Sequence, residues 1–283
     1  MTRLLHALRH KDTRWLALWI AATSALASWD AVFLNKPAFR RVAAGFVNTF
    51  VIALLVIVFT LALAWTATLV LHALERRRTG YLAATFALNV IRSVPQIVGV
   101  LFAYVAVSSL SQSGRLPGPA LFPLLALCMS LFIFLELVDL MRERIEHYRR
   151  LDFFSALRVC GVPDRRIINF DILWKNSRIH IFNKLISVFG MAVFLQCSVD
   201  FIISVGLSTD VSQVSLPATL GSLLAKIDSK QDILMIGYTL THPGYLGSLF
   251  LQHLQGTTVA FLIVFTLLAV YNIANGYAER HRL

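Results

Sequence analysis

Six long apolar stretches, at residues 15–34, 46–74, 81–110, 119–140, 185–207 and 257–277, constrain this chain of 283 residues more than any other feature. Each is long enough to cross a hydrocarbon layer about 30 Å thick, which takes roughly 17 to 25 helical residues. Inside hydrocarbon the backbone finds no water and must satisfy its amides internally. The expected fold class is therefore all-α, a polytopic integral membrane bundle of six transmembrane helices. Composition agrees, with 57% hydrophobic and 14% charged residues, against about 45–50% apolar and 25% charged in soluble domains. A further apolar run at 233–251 is broken by His242, Pro243, Gly244 and Gly247. It is expected to form a hairpin or re-entrant piece rather than a seventh span.

Orientation follows from the cations, because Lys and Arg are retained on the cytoplasmic side. With six spans and the amino terminus inside, 19 of the 26 Lys and Arg residues fall on that side, ten of them from Arg142 to Lys184. Lys36, Arg40, Arg41, Arg115, Lys226 and Lys230 fall outside, and Arg92 falls within a span. Both termini are then cytoplasmic. The net charge of +11 is accounted for by this topology and by anionic headgroups, without nucleic acid. A basic start, the apolar residues 15–20 and Ala25-Leu26-Ala27 imitate a secretory signal, yet this stretch is expected to remain as a membrane helix. Leu4, Leu5 and Leu8, among His6, Arg9 and His10, fit either a short helix on the inner surface or a frayed tail.

Motifs for chemistry are missing from the sequence. Cys128, Cys160 and Cys197 fall in two spans and one loop, with no CxxC spacing and no Cys/His cluster for a metal. There is no HExxH, no GxSxG and no Gly-Lys-Ser/Thr phosphate loop. The chain is expected to be non-catalytic and to hold no cofactor, so that any ATP and Mg belong to another polypeptide. An intramembrane enzyme built on Glu136, Asp139 or Asp200 would lack a nucleophile and base at a recognisable spacing.

Between the fourth and fifth apolar stretches lies residues 152–173, DFFSALRVCGVPDRRIINFDIL. The cations around it cannot be buried in hydrocarbon, so it lies at a surface. Its first part is compatible with a helix, Gly161 supplies the conformation that ends one, and Pro163 suits the first turn of the next. Asp164 then sits at the positive end of that helix, and Ile167, Ile168, Ile172 and Leu173 form an apolar stripe. Such an insert is either a docking surface or an amphipathic loop resting on headgroups.

Charges inside spans cost about 2.5 to 3.5 kcal/mol each on insertion scales and are usually functional. Asn89, Arg92, Ser93, Gln96 and Gly99 recur at three- and four-residue steps, giving one polar stripe along the third span, loosened at Pro95. That stripe either lines a path or a partner subunit, or Arg92 pairs with Glu136, Asp139 or Asp200 as structural glue. In the fifth span Gln196 and Asp200 are one turn apart and either line a path or make an interhelical hydrogen bond. Glu136 and Asp139 sit near the inner end of their span, and His72 with Glu75 reads as an interfacial terminus.

Residues 152–173 resemble the cytoplasmic coupling loop of ABC importer permeases, most closely the dipeptide, oligopeptide and nickel branch. The correspondence runs through Asp152, Phe153, Ala156, Arg158, Gly161, Asp164, Arg166, Ile167, Ile168, Ile172 and Leu173, eleven of 22 positions without a gap. Residues 203–207 and 220–225, and Tyr271-Asn272, resemble other segments of that branch. There are departures too: Ser155 and Leu157 replace expected loop residues, Trp174-Lys175 stands for a terminal Pro-Asn, and Asn275-Gly276 replaces a final Gly-Asp.

The resemblance implies a bacterial inner-membrane permease subunit. Residues 1–45 would hold the amino-terminal segment, first helix and outer loop, and residues 46–283 the permease domain, with its coupling loop at 141–184 and an extracytoplasmic segment at 208–256. Half of a translocation pathway would come from this chain. Its partners would be a second, distinct permease, two ABC ATPase subunits and an extracytoplasmic solute-binding protein, in a bilayer. ATPase coupling would fall to Asp152, Phe153, Ala156, Leu157, Arg158, Gly161, Asp164 and Arg166, with Phe153 and Leu157 as apolar knobs. Asn89, Arg92, Gln96, Gln196 and Asp200 would be path candidates. The competing reading is a membrane scaffold or receptor that keeps the docking loop and transports nothing.

Overall fold

The structure, a computed structural model, describes residues 10–75, 77–113, 117–206, 216–225, 227–252 and 254–281. The amino-terminal stretch with Leu4, Leu5 and Leu8 lies outside the described residues, as do 207–215 of the outer segment. Among the described residues every regular element is helical and there is no strand.

Helix α1 spans Lys11–Phe33 and α2 spans Lys36–Leu74. They are separated at Asn35, whose side chain accepts from the Ala38 amide at 2.9 Å while Pro37 fills the first turn, so a new helix is capped as soon as the old one stops. The 39 residues of α2 extend for about 58 Å at 1.5 Å per residue. That is longer than hydrocarbon requires, so α2 carries an end beyond it.

The stretch expected to be one third span is two helices, α3 at Arg78–Ser93 and α4 at Gln96–Gln112, bent by 88°. Pro95 has no amide to donate and forces Val94 into an extended conformation (ψ 123°), so the helix stops instead of merely loosening. A short 3-10 turn, Gly118–Ala120, leads into α5, Leu121–Arg149. With α8 at Arg178–Gly206 and α12 at Leu254–His281, five helices (α1, α2, α5, α8 and α12) are long and apolar enough to cross a bilayer, and a sixth span exists only if the bent pair counts as one. The architecture is that of a polytopic membrane protein.

Helix α5 lies against α2 and α4, while α12 lies against α1 and α8. Two apolar clusters result. One fills the middle of the bundle around Ile52, Tyr104, Met129, Ile133 and Val188. The other, around Leu71, Leu137, Met141, Ile167, Ile168, Ile172 and Leu173, fills the end where the chain makes an elbow.

That elbow is α6, Asp152–Val159, then α7, Asp164–Arg166, which runs directly into a π-helical segment at Ile167–Asn176. Pro163 stands one residue before α7 rather than inside its first turn. Instead of the expected α-helix, the chain after Arg166 closes wider rings, as in the Ser177 amide bonding to the Ile172 carbonyl at 2.8 Å. A π-helix aligns residues five apart. Ile167 with Ile172, and Ile168 with Leu173, are so spaced, and all four are fully buried.

The described residues at 216–225 and 227–252 are mostly helical, in α9 at Leu220–Leu224, α10 at Ile227–Thr241, a 3-10 turn at Pro243–Tyr245 and α11 at Leu246–Gln252. The break at His242 falls where the sequence places it. Helix α9 opens with Thr219 and Ser222 capping each other's amides. It packs on α8 so closely that a Cβ on Gly221 would collide with the Cys197 backbone.

Because Ile168 anchors the π-helical segment in a closed core, Ile168→Ala is expected to cost about 2 to 5 kcal/mol, whereas Phe170→Ala, at an exposed neighbour, changes stability by less than about 0.5 kcal/mol. Denaturant titration in lipid nanodiscs, followed by tryptophan fluorescence, reads both. Equal effects would show that the segment only rests on the bundle.

Candidate functional site

Three features of the fold can carry a function: the elbow, a seam of charges leading to it, and polar groups buried among the spans. The elbow closes on Gly161, at φ +80°, the one described glycine in the left-handed region. The Val162 amide bonds to the Leu157 carbonyl at 3.1 Å and the Gly161 amide to the Arg158 carbonyl at 3.0 Å, the paired closure of a helix that ends on a left-handed glycine. Val162 and Leu157, the apolar pair that goes with this closure, both pack on the lower core. Leu157 is therefore turned toward the bundle, in contrast to its expected role as an outward knob.

What α6 presents outward is Phe153, 38% exposed and edge-on to Tyr148 at 6.3 Å, and Val159, 88% exposed. Phe154, beside Phe153, is the buried member of α6. Asp152, Ala156, Arg158 and Arg166 are exposed. Arg158 Nε lies 3.2 Å from Asp164 Oδ1, so the expected contact to the loop's own carboxylate is made, and it ties α6 to α7 across the turn. At this exposure such a pair contributes about 0–1 kcal/mol and serves to hold an angle more than to add stability.

Beyond Asn169, which accepts from Trp65 Nε1 at 2.7 Å, the π-helical segment ends with Trp174 edge-on to Trp65. The second half of the elbow is thus fixed to α2 by a hydrogen bond and rings as well as by its buried stripe. The first half is held by little besides Phe154 and the turn.

The seam runs down α5. Lys184 Nζ donates to Glu136 Oε2 at 2.7 Å, and Gln96 Nε2 donates to the other oxygen at 3.2 Å. One turn on, a single guanidinium nitrogen of Arg92 bridges both oxygens of Asp139 at 2.7 Å. Of the three acids considered for Arg92, Asp139 is its partner. Arg142 then donates to the Tyr81 hydroxyl at 2.9 Å, and Arg149 grips Glu75 through two nitrogens at 3.2 and 2.7 Å, beside His72. Glu75, Tyr81, Asp139, Arg142 and Glu143 line a cavity of about 360 Å³ between α2, α3 and α5. The Arg92–Asp139 pair is 52% exposed at both side chains, so it faces outward from this chain.

The five path candidates do not meet. Asn89 and Arg92 are exposed on α3, and Gln96 is half-buried on α4, across the break at Pro95. Gln196 and Asp200 sit on α8, about 18 and about 24 Å along the helix from Lys184 at 1.5 Å per residue. Gln196 is fully buried, and neither amide atom has a hydrogen-bond partner among the described residues. Asp200 accepts from the Thr219 hydroxyl at 2.6 Å, which fixes the start of α9 to α8. Thr49 likewise accepts from the Leu220 amide at 3.0 Å and Asn48 donates to the Ala218 carbonyl at 2.8 Å.

Sequence reasoning missed Lys184, which it counted among the loop cations, and Val159. It also missed the grip of Arg149 on Glu75, residues 74 apart in the chain. No spacing rule signals a contact at that separation. Among the described residues no His/Cys/Asp/Glu group is arranged to hold a metal.

Burial alone would raise the Glu75 carboxyl, but the hydrogen bonds and charge of Arg149, with His72 beside it, outweigh this and hold it below the ordinary 4.5. A depressed acid stabilises the fold fully above its unfolded value, and the contribution disappears as pH falls through the folded value. Thermal unfolding between pH 7 and pH 3 should therefore lose stability more steeply in the native chain than in Glu75→Gln; parallel curves would show that the cluster contributes nothing. No protein-family model matches this sequence, and no curated protein matches it either.

Proposed function

We propose that this chain is the permease subunit of an ATP-driven importer of the ABC class, nearest the peptide and nickel branch, with six spans and both termini in the cytoplasm. The observation that carries the reading is the elbow: an exposed short helix joined through a left-handed Gly161 to a segment whose four apolar residues are sunk in the core. A lever needs one end free to be gripped and the other continuous with what it moves. Here α6 is the free end, and the π-helical segment is continuous with α2 and α5. The order of residues 152–173, which resembles the coupling loop, supports the same role.

On this reading an ATPase subunit grips Phe153 and Val159, with Asp152, Ala156 and the Arg158–Asp164 pair at the rim. Its closure moves α6, and the motion passes through Gly161 into α2 and α5 and along the seam from Arg149 to Glu136. Two ATPase subunits, a second and distinct permease, and an extracytoplasmic solute-binding protein complete the complex. The bent α3–α4 pair supplies the sixth span, and the exposed Arg92–Asp139 pair faces the pathway or the second permease.

Purification of the intact complex tests this. An ATPase should co-purify with the native chain and be lost from Phe153→Asp and Val159→Asp, both at exposed positions that leave folding intact. Gly161→Val meets no neighbour, so its effect is confined to the left-handed backbone, at about 1–2 kcal/mol; ATP hydrolysis should then run without uptake. An ATPase retained by both aspartate variants would overturn the docking surface. Stimulated hydrolysis with no solute movement in the native complex would favour a scaffold over an importer.

A further inference from the structure

A groove of about 330 Å³ runs between α1, α2, α8 and α12, walled by Trp19, Phe50, Phe182, Ile186, Phe189 and Ala269. Its only polar lining residue is Thr266, whose hydroxyl already accepts from Trp19 Nε1 at 3.0 Å. The groove thus offers almost no hydrogen-bonding capacity and fits a saturated chain.

Toward the elbow end it meets a second cavity, of about 390 Å³, lined by Arg178, Ile179, Phe182, Tyr277 and His281. Phe182 belongs to both, and its ring lies 5.3 Å from that of Tyr277. The charges here are unequal. Lys11 is paired with Glu279 and Arg280 with Asp12, whereas Arg178 has no carboxylate partner among the described residues. Nor does the Tyr277 hydroxyl have a hydrogen-bond partner among them. Arg178 and the Tyr277 hydroxyl, one cationic and one neutral donor, therefore stand at the mouth of an apolar slot beside His281, whose Nδ1 lies 2.9 Å from the Tyr277 carbonyl.

Lengths agree with the chemistry. From Arg178 to Phe189 the helix rises about 16 Å, close to half of the roughly 30 Å hydrocarbon thickness, which is one leaflet. We propose that this slot is a binding site for one anionic phospholipid of the leaflet on the elbow side, its acyl chain between Phe182 and Phe189 and its phosphate at Arg178 and Tyr277. The site couples the start of α8, immediately after the elbow, to both terminal helices, and it stands independently of the importer reading.

Native mass spectrometry of the full chain released from nanodiscs of equimolar phosphatidylglycerol and phosphatidylcholine with identical acyl chains tests this. One phosphatidylglycerol should be retained over phosphatidylcholine by roughly fivefold, the effect of one interfacial cation. Arg178→Gln, at an exposed position, should abolish the preference, and Ile186→Trp, which fills the slot, should lower retention of both lipids. Glycerol 3-phosphate, with the charge but no acyl chain, should not displace the lipid. Equal retention of the two lipids, an unchanged preference in Arg178→Gln, displacement by glycerol 3-phosphate, or a dimer in which a second copy fills the groove would each overturn the proposal.

Discussion

Every feature of this chain answers to one constraint: in hydrocarbon an unpaired backbone amide or carbonyl costs several kcal/mol, and helices satisfy it within a single segment. Uninterrupted stretches such as α2 follow directly. The constraint also explains where interruptions occur. At Pro95 the backbone loses a donor, and the carbonyls before it are taken up locally, Val90 by the Ser93 hydroxyl at 2.7 Å and Ile91 by the Val94 amide at 3.2 Å. At the start of α9 the backbone is irregular, and its groups are taken up by Thr49, Asn48, Thr219 and Ser222. Irregular backbone survives in each place because protein groups substitute for water.

The elbow divides stiffness unevenly. Its π-helical half is locked by four buried apolar residues and by the Trp65–Asn169 bond, whereas α6 buries only Phe154. A force applied to α6 therefore meets little local resistance until it reaches Gly161, where Schellman-type closure and the Arg158–Asp164 pair fix the angle. Beyond that point the load enters a packed core, and packed cores shift between discrete arrangements rather than deforming continuously.

Much of this was legible in the sequence, and the exceptions have physical causes. Apolar length located the five long helices, and Gly161 with the isoleucine stripe located the elbow, because each signal is local. The 88° break at Pro95 was underestimated, since a proline inside an apolar run kinks or ends a helix depending on what tertiary contacts receive the freed groups. The π-helix was written in the spacing of Ile167 with Ile172 and Ile168 with Leu173, but a stripe of four residues over seven positions fits an α-helix nearly as well. Leu157 was assigned outward because composition does not reveal which face of an eight-residue helix is turned inward; its closure with Val162 decides that. Lys184 was counted as a loop cation, although its partner Glu136, 48 residues away, draws it into the bundle.

Polar groups within the spans form a pattern of their own. Thr258 donates to Asp30 and Trp19 to Thr266, joining the two terminal helices, and Thr219 donates to Asp200, joining the consecutive α8 and α9. Apolar packing discriminates poorly between helices that are alike on all sides, as lipid competes for every face with similar dispersion energy. A hydrogen bond between buried groups does discriminate, because a misplaced helix would leave both partners unsatisfied. These three bonds therefore specify which helices are neighbours, α1 with α12 and α8 with α9, and place the terminal helices where the groove between them opens toward Arg178. Gln196 is the exception: buried, with neither amide atom paired among the described residues, it specifies no neighbour there and its burial costs stability.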